Sequence, residues 1–255
     1  MKRILFLIAV LIQGLNLFAQ NAHFTTSGTI EYNKTSNTYA MLEKQINPEN
    51  EAFFRPFLDA YKKANPQFKT LKSTLTFSDD KTLFTPIEPD NAGSGFFNFP
   101  LANQNNTVYT DLKTRTTTNQ KIVFEATFLV KDTTRKIKWK ITGETRDVAG
   151  YSCRRANGIM MDSIYVVAFY TEKIHVSGGP ESFNGLPGMI LEVAVPHENM
   201  LWVATKVTDI PIADNAIQEP KKGKLTTNAG LKTTLLSLTK NWGDNAQFYL
   251  KGFLF

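Results

Sequence analysis

Few residues of this 255-residue chain have the type and spacing that chemistry needs. The three histidines, His23, His175 and His197, form no His-Glu-x-x-His segment, and no paired Cys or His spacing suggests zinc. A single cysteine, Cys153, excludes an intrachain disulfide, and a free cysteine of this kind reads as a small buried hydrophobe. Cys153, His175 and the methionines Met160, Met161, Met189 and Met200 are soft ligands that could in principle make a copper site. There is no Gly-x-Ser-x-Gly elbow for a serine nucleophile. Gly178-Gly179-Pro180 lacks the lysine and hydroxyl residue that a phosphate-cradling loop needs. Glu181 and Glu192 are the carboxylates nearest to a paired arrangement of the glycosidase kind, with solvated surface carboxylates as the default. The expectation is therefore no catalytic residue, no bound metal and no cofactor.

Strands are the elements that must position whatever these residues do. Gly28 to Asn33 alternates, and Phe68 to Phe77 and Lys81 to Ile87 read as strands around an Asp79-Asp80 turn. Lys121 to Val130 places Ile122, Phe124, Ala126, Phe128 and Val130 on one face. Lys136 to Thr142 sets Ile137, Trp139 and Ile141 inward and three lysines outward, and residues 131–135 suggest that the two runs form a hairpin. Further strands are expected over Tyr151 to Ala156, Ile164 to Tyr170, Met189 to Val195 and Met200 to Val207. The last two are joined by a Pro196–Asn199 turn, and Ile164 to Tyr170, apolar on both faces, belongs near the sheet centre. Asn47-Pro48 opens a helix whose stripe of Phe53, Phe54, Phe57, Leu58 and Tyr61 suits core packing; at Pro56 either the helix kinks or two short helices meet. Residues 211–224 read as a linker. Leu231, Leu235, Leu238 and Trp242 recur at helical spacing, and Phe248 to Phe255 reads as a final strand or packed tail. The fold class is mainly β with minor helix: one large curved antiparallel sheet, or half-open barrel, with a few flanking helices.

Two segments break this pattern. Residues 88–106 hold Phe96, Phe97 and Phe99 among glycines and prolines, either as a plug for one end of the sheet or as the greasy mouth of a ligand site. Residues 177–191 crowd four glycines and two prolines into one stretch, which favours a single backbone shape. Gly185-Leu186-Pro187-Gly188-Met189-Ile190 resembles the name-giving motif of the GLPGLI family, exported proteins found mainly in Bacteroidota, with methionine for the usual leucine. Trp139, Gly150-Tyr151, Cys153, Ala156, Ala168-Phe169-Tyr170-Thr171, Gly179-Pro180 and Phe183 fit the same pattern. The resemblance spans about Arg135 to Val207. It implies an exported, mostly β envelope protein with an open, curved sheet, and it carries no catalytic residues. The candidate site residues are thus Gly179, Pro180, Phe183, Gly185, Leu186, Pro187 and Gly188, structural or binding, with Phe96, Phe97 and Phe99 at a possible ligand mouth.

Met1-Lys2-Arg3, an apolar run and Ala19 read as a signal peptide over residues 1–19, leaving residues 20–255 as one β-rich domain. Without Lys2 and Arg3 the chain carries 27 basic against 23 acidic residues, net +4, too mild for nucleic acid. No stretch is long enough for a transmembrane helix. The expected place is the periplasm or outer membrane surface. The expected function is a non-enzymatic module that binds an apolar ligand or an envelope partner protein; a soft-metal protein or an unrecognised hydrolase is the alternative.

Overall fold

The computed structural model describes residues 24–87, 100–213, 215–243 and 245–255. The leader read over residues 1–19, His23, and Phe96, Phe97 and Phe99 lie outside them.

Twelve strands form one sheet: β1 (Ser27–Asn37), β2 (Phe68–Ser78), β3 (Lys81–Ile87), β4 (Thr107–Asp111), β5 (Thr116–Val123), β6 (Ala126–Thr133), β7 (Lys138–Val148), β8 (Tyr151–Met160), β9 (Ile164–Thr171), β10 (Met189–Val195), β11 (Met200–Asp209) and β12 (Lys224–Thr226). Their order is β12-β6-β5-β4-β3-β2-β1-β11-β10-β9-β8-β7. All neighbours are antiparallel except β12 and β6, so the sheet is mixed. Among the described residues five α-helices flank it: α1 (Thr38–Glu43), α2 (Glu51–Ala64), α3 (Pro100–Asn103), α4 (Asn228–Leu238) and α5 (Asn245–Leu254). Among the described residues no helix is long and apolar enough to cross a membrane.

The chain itself forces the sheet to curl. Ten inter-strand steps separate β6 from β7, which in a flat sheet is about 48 Å. Only residues 134–137 join the two strands, a reach of at most about 18 Å. The ends of the sheet must therefore swing towards each other, yet they do not zip together. β12 occupies the free edge of β6, and the sheet stays an open bowl.

Pairing register identifies the concave face. Ile30, Tyr32, Lys34 and Ser36 of β1 stand across from Val207, Ala204, Trp202 and Met200 of β11 and from Leu75, Ser73, Leu71 and Lys69 of β2. The same face continues through Val193, Ala168, Ala156 and Ile141 on one side and Phe84, Val108, Asn119 and Val130 on the other. Most of these side chains are buried in the bowl, with α1, α2, α3 and α5 contributing to its contents.

Several expectations need correction. The stretch from Lys121 to Val130 is two strands, turned at Phe124 and Glu125, with Phe124 in the left-handed region (φ 54°). Lys121 and Val123 thus share the inner face with Phe128, while Ile122 faces out. β6 and β7 form no hairpin, since they lie at opposite ends of the strand order. Strand β9 is third from the β7 edge, and its apolar faces are both covered without its being central. Helix α2 starts at Glu51, keeps Pro56 inside it and buries only Leu58; Phe53 and Phe57 are 63% and 41% exposed. The tail is helix α5 rather than a strand, because Tyr249, Leu250 and Phe253 fall on one helical face and pack against β5, β6 and α4.

Candidate functional site

The glycine–proline loop lies inside the bowl. Gly179, Pro180, Phe183, Leu186 and Gly188 are buried, whereas Gly185 and Pro187 are exposed. The Phe183 ring meets Trp202 edge-on at 5.5 Å and Phe255 at 5.9 Å, and the Trp202 and Phe255 rings are parallel at 5.9 Å. The loop closes on itself and on its neighbours through hydrogen bonds. The N–H of Phe183 donates to the Pro180 carbonyl, that of Ile190 to Gly178, and that of Gly185 to Ser177. Trp139 donates its indole N–H to the Asn184 carbonyl at 2.9 Å, and the bare Gly158 leaves room for its ring. Tyr32 donates its hydroxyl to the Ile190 carbonyl at 2.6 Å. These contacts close the loop on itself and tie it to the sheet, and its exposed motif residues, Gly185 and Pro187, offer no polar side chain.

At the centre of this packing lies a buried ion pair. Lys34 Nζ stands 3.1 Å from Glu181, with both side chains about 5% exposed. Lys34 also donates to the Gln104 main-chain carbonyl and lies over the Trp202 ring, while the Trp202 indole N–H donates to Glu181 at 3.2 Å. Glu181 takes a positive φ (48°), strained for a residue with a side chain. Period-two alternation from Ile30 and Tyr32 would have placed Lys34 on the apolar face and so demanded a buried partner. That signal is legible in the sequence once the alternation is extended beyond Asn33.

Two further cations share the interior. Lys121 donates to the Phe253 carbonyl at 2.8 Å, and Arg135 donates to the carbonyls of Leu254 and Phe255. Burial, then the nearby Arg135, hold the Lys121 ammonium down to about 7, with Lys34 adding to the effect and Glu181 opposing it. Burial also pulls Arg135 below its usual range. Lys69 on β2 donates to the Asn103 side chain, and burial followed by the charge of Lys34 lowers it.

Beside this cluster a cleft of about 430 Å³ opens to solvent. Ile122, Phe124, Trp242, Tyr249 and Phe253 line one part, and Pro100, Asn103, Gln104 and Asn105 the other. The aromatic rings brace one another: Phe124 meets Phe253 at 4.9 Å and Trp242 at 5.6 Å, and Trp242 meets Tyr249 at 5.0 Å. Its volume falls in the range of roughly 300–1,000 Å³ usual for small-molecule sites, and aromatic walls with a few polar groups are their usual composition. None of its nine lining residues is charged. A second hollow, about 490 Å³, is lined by Asp79, Asp80, Lys81, Asp111 and Lys113 among others and suits no apolar ligand.

Residues 157–192 match a family model described as a protein of unknown function, Porph_ging. The matched stretch runs from β8 through the buried loop to β10 and contains Gly179, Phe183 and Gly188. No curated protein matches the chain. Among solved structures, the chain resembles PNGF-II in its C2 space group with TM-score 0.52 and 16% identity, over 81% of this chain and 32% of that one. PNGF-II in its P21 space group gives 0.48 and 18%, over 79% and 32%. This chain spans about a third of the length of the protein it resembles, and the likeness is one of fold.

The residues singled out for chemistry do not come together. Glu192 lies on the outer face against Arg146 at 2.7 Å, while Glu181 points inward to Lys34. His175 stacks on Phe24 at 4.0 Å, and the His197 carbonyl accepts from Lys44. Met160, Met189 and Met200 are core residues. Among the described residues no group of three His, Cys, Asp or Glu side chains is placed to hold a metal ion. Cys153 is fully buried, and burial pushes its thiol up to about 12. A thiol reagent at pH 8 is therefore expected to leave Cys153 unmodified in the folded protein and to label it fully in denaturant; rapid labelling of the native protein would mean an accessible thiolate. The cleft is not legible in the sequence, because its aromatic residues come from three separate segments, and only Tyr249 and Phe253 are linked by helical spacing.

Proposed function

We propose that this chain is a non-enzymatic binding module of the cell envelope, related to the GLPGLI proteins, which holds a small apolar ligand in its aromatic cleft. The cleft itself carries the reading: an apolar hollow of ligand size, braced by rings and placed at one end of a rigid bowl. The GLPGLI-like run falls within the stretch that matches the family model, and the leader-like start supports export.

Native mass spectrometry of protein isolated from its source is expected to show a retained small molecule. Trp242→Ala and Phe124→Ala should each weaken binding of the neutral probe Nile red about tenfold. Both side chains are 39% exposed, so stability should fall by less than about 1.5 kcal/mol. A protein that retains nothing and binds no apolar probe ends this reading. A retained partner protein would move the function to docking, and retained copper would move it to metal binding.

A further inference from the structure

The wall of the cleft away from solvent is backed by positive charge. Three lining residues each accept a hydrogen bond from a lysine: Gln104 from Lys34, Asn103 from Lys69, and Phe253 from Lys121. Arg135 stands behind the same helix end, bonded to the carbonyls of Leu254 and Phe255. Among the described residues the one side-chain carboxylate coupled to this set is Glu181, which is already committed to Lys34. Neither Lys69 nor Lys121 is ion-paired to a described carboxylate. Four basic side chains therefore share one side-chain carboxylate behind a lining that has no charged side chain of its own. Lys34 and Lys121 are buried, so their field is weakly screened on the protein side and reaches the wall of the hollow.

We propose that the ligand of this cleft is an amphiphilic anion: a ring-bearing apolar body against Phe124, Trp242 and Tyr249, and a carboxylate directed to the Asn103–Gln104 wall, towards Lys69 and Lys121. This rests on the reading of the cleft as a ligand site. The ring edges and faces there suit a flat body, and the Asn105 amide, which bonds to no described residue, lines the same wall. An anion beside Lys121 would lift the ammonium that burial, Arg135 and Lys34 hold down, so binding should take up protons near neutral pH.

Isothermal titration of the full chain with 2-naphthoate and with the neutral, similarly shaped 2-naphthylmethanol, in two buffers of different ionisation enthalpy, tests this. The acid is expected to bind about tenfold more tightly, with proton uptake, the order that attraction to charges behind the wall supplies. Lys69→Met and Lys121→Met should each abolish most of that preference and leave naphthylmethanol binding unchanged. If Lys121→Met fails to fold, Lys69→Met, on a partly exposed side chain, decides alone. Equal binding of the two probes overturns the anionic ligand and leaves the cleft reading standing. If neither probe binds, while Nile red does, the ring-bearing anion is overturned; if no probe binds at all, both readings fall.

Discussion

Gly188→Ala is expected to cost about 4 kcal/mol or more and to leave much of the protein unfolded at ambient temperature. Gly188 has φ near +148°, a region that residues with a side chain rarely adopt. A Cβ there would sit 2.1 Å from the Thr171 carbonyl oxygen and 2.8 Å from its carbon. That carbonyl cannot swing aside, because Thr171 is paired with Met189 at the end of the β9–β10 ladder. Pro187 provides the control: it is exposed, and Pro187→Ala should change stability by no more than about 1 kcal/mol. Urea denaturation followed by tryptophan fluorescence measures both. A Gly188→Ala protein as stable as the parent, but unable to bind ligand, would make the loop a recognition element and refute its structural role.

Glu181→Gln comes next, with an expected loss of about 3 kcal/mol. The substitution keeps the side chain's shape and an acceptor for the Trp202 indole, but it leaves Lys34 charged at 4% exposure. Breaking one half of a buried pair costs about 3–5 kcal/mol because the remaining charge keeps its desolvation penalty. It also removes the attraction that opposes the crowding of Lys121 and Arg135. Lys34→Met combined with Glu181→Gln should recover most of the loss, since an apolar side chain can fill the place of the ammonium between Trp202 and Gln104. A double-mutant cycle by equilibrium denaturation reads the coupling directly. Purely additive effects would show that the two charges do not depend on each other.

The sheet was legible from alternation wherever one face of a strand is wet, as in β1, β2 and β7. The Pro196–Asn199 turn was legible from its composition. Alternation failed at Phe124, where a residue with a side chain makes a left-handed turn that glycine or asparagine would have announced. Alternation alone runs one strand through both β5 and β6 and puts Lys121 on the outer face, where the structure has it on the inner one. Proximity in sequence also misled for β6 and β7, whose short connection reflects the curl of the whole sheet rather than a local hairpin. The stripe on α2 shows the limit of amphipathic spacing. It predicts that a face is apolar, not that the rest of the fold will cover it, and Phe53 and Phe57 stay exposed. The candidate site was hidden for the same reason as the strand order: Phe124, Trp242 and Phe253 meet only after the sheet has curled and α5 has docked.

The place of β1 in the sheet governs when this protein can fold. β1 opens the described chain yet sits in the middle of the sheet, between β2 and β11, with Gly28 across from Asp209. Its second edge stays bare until nearly the whole chain has been synthesised. Pairings of such long range are slow to form, because the loop they close must first give up its entropy. β12, the strand that covers the β6 edge, comes later still. Until β11 is made only the sequential pairings from β1 to β6 and the later run from β7 to β10 can form, and β1 stays an exposed edge. The strand order thus leaves closure of the bowl at the β1–β11 seam until both runs of strands have been made.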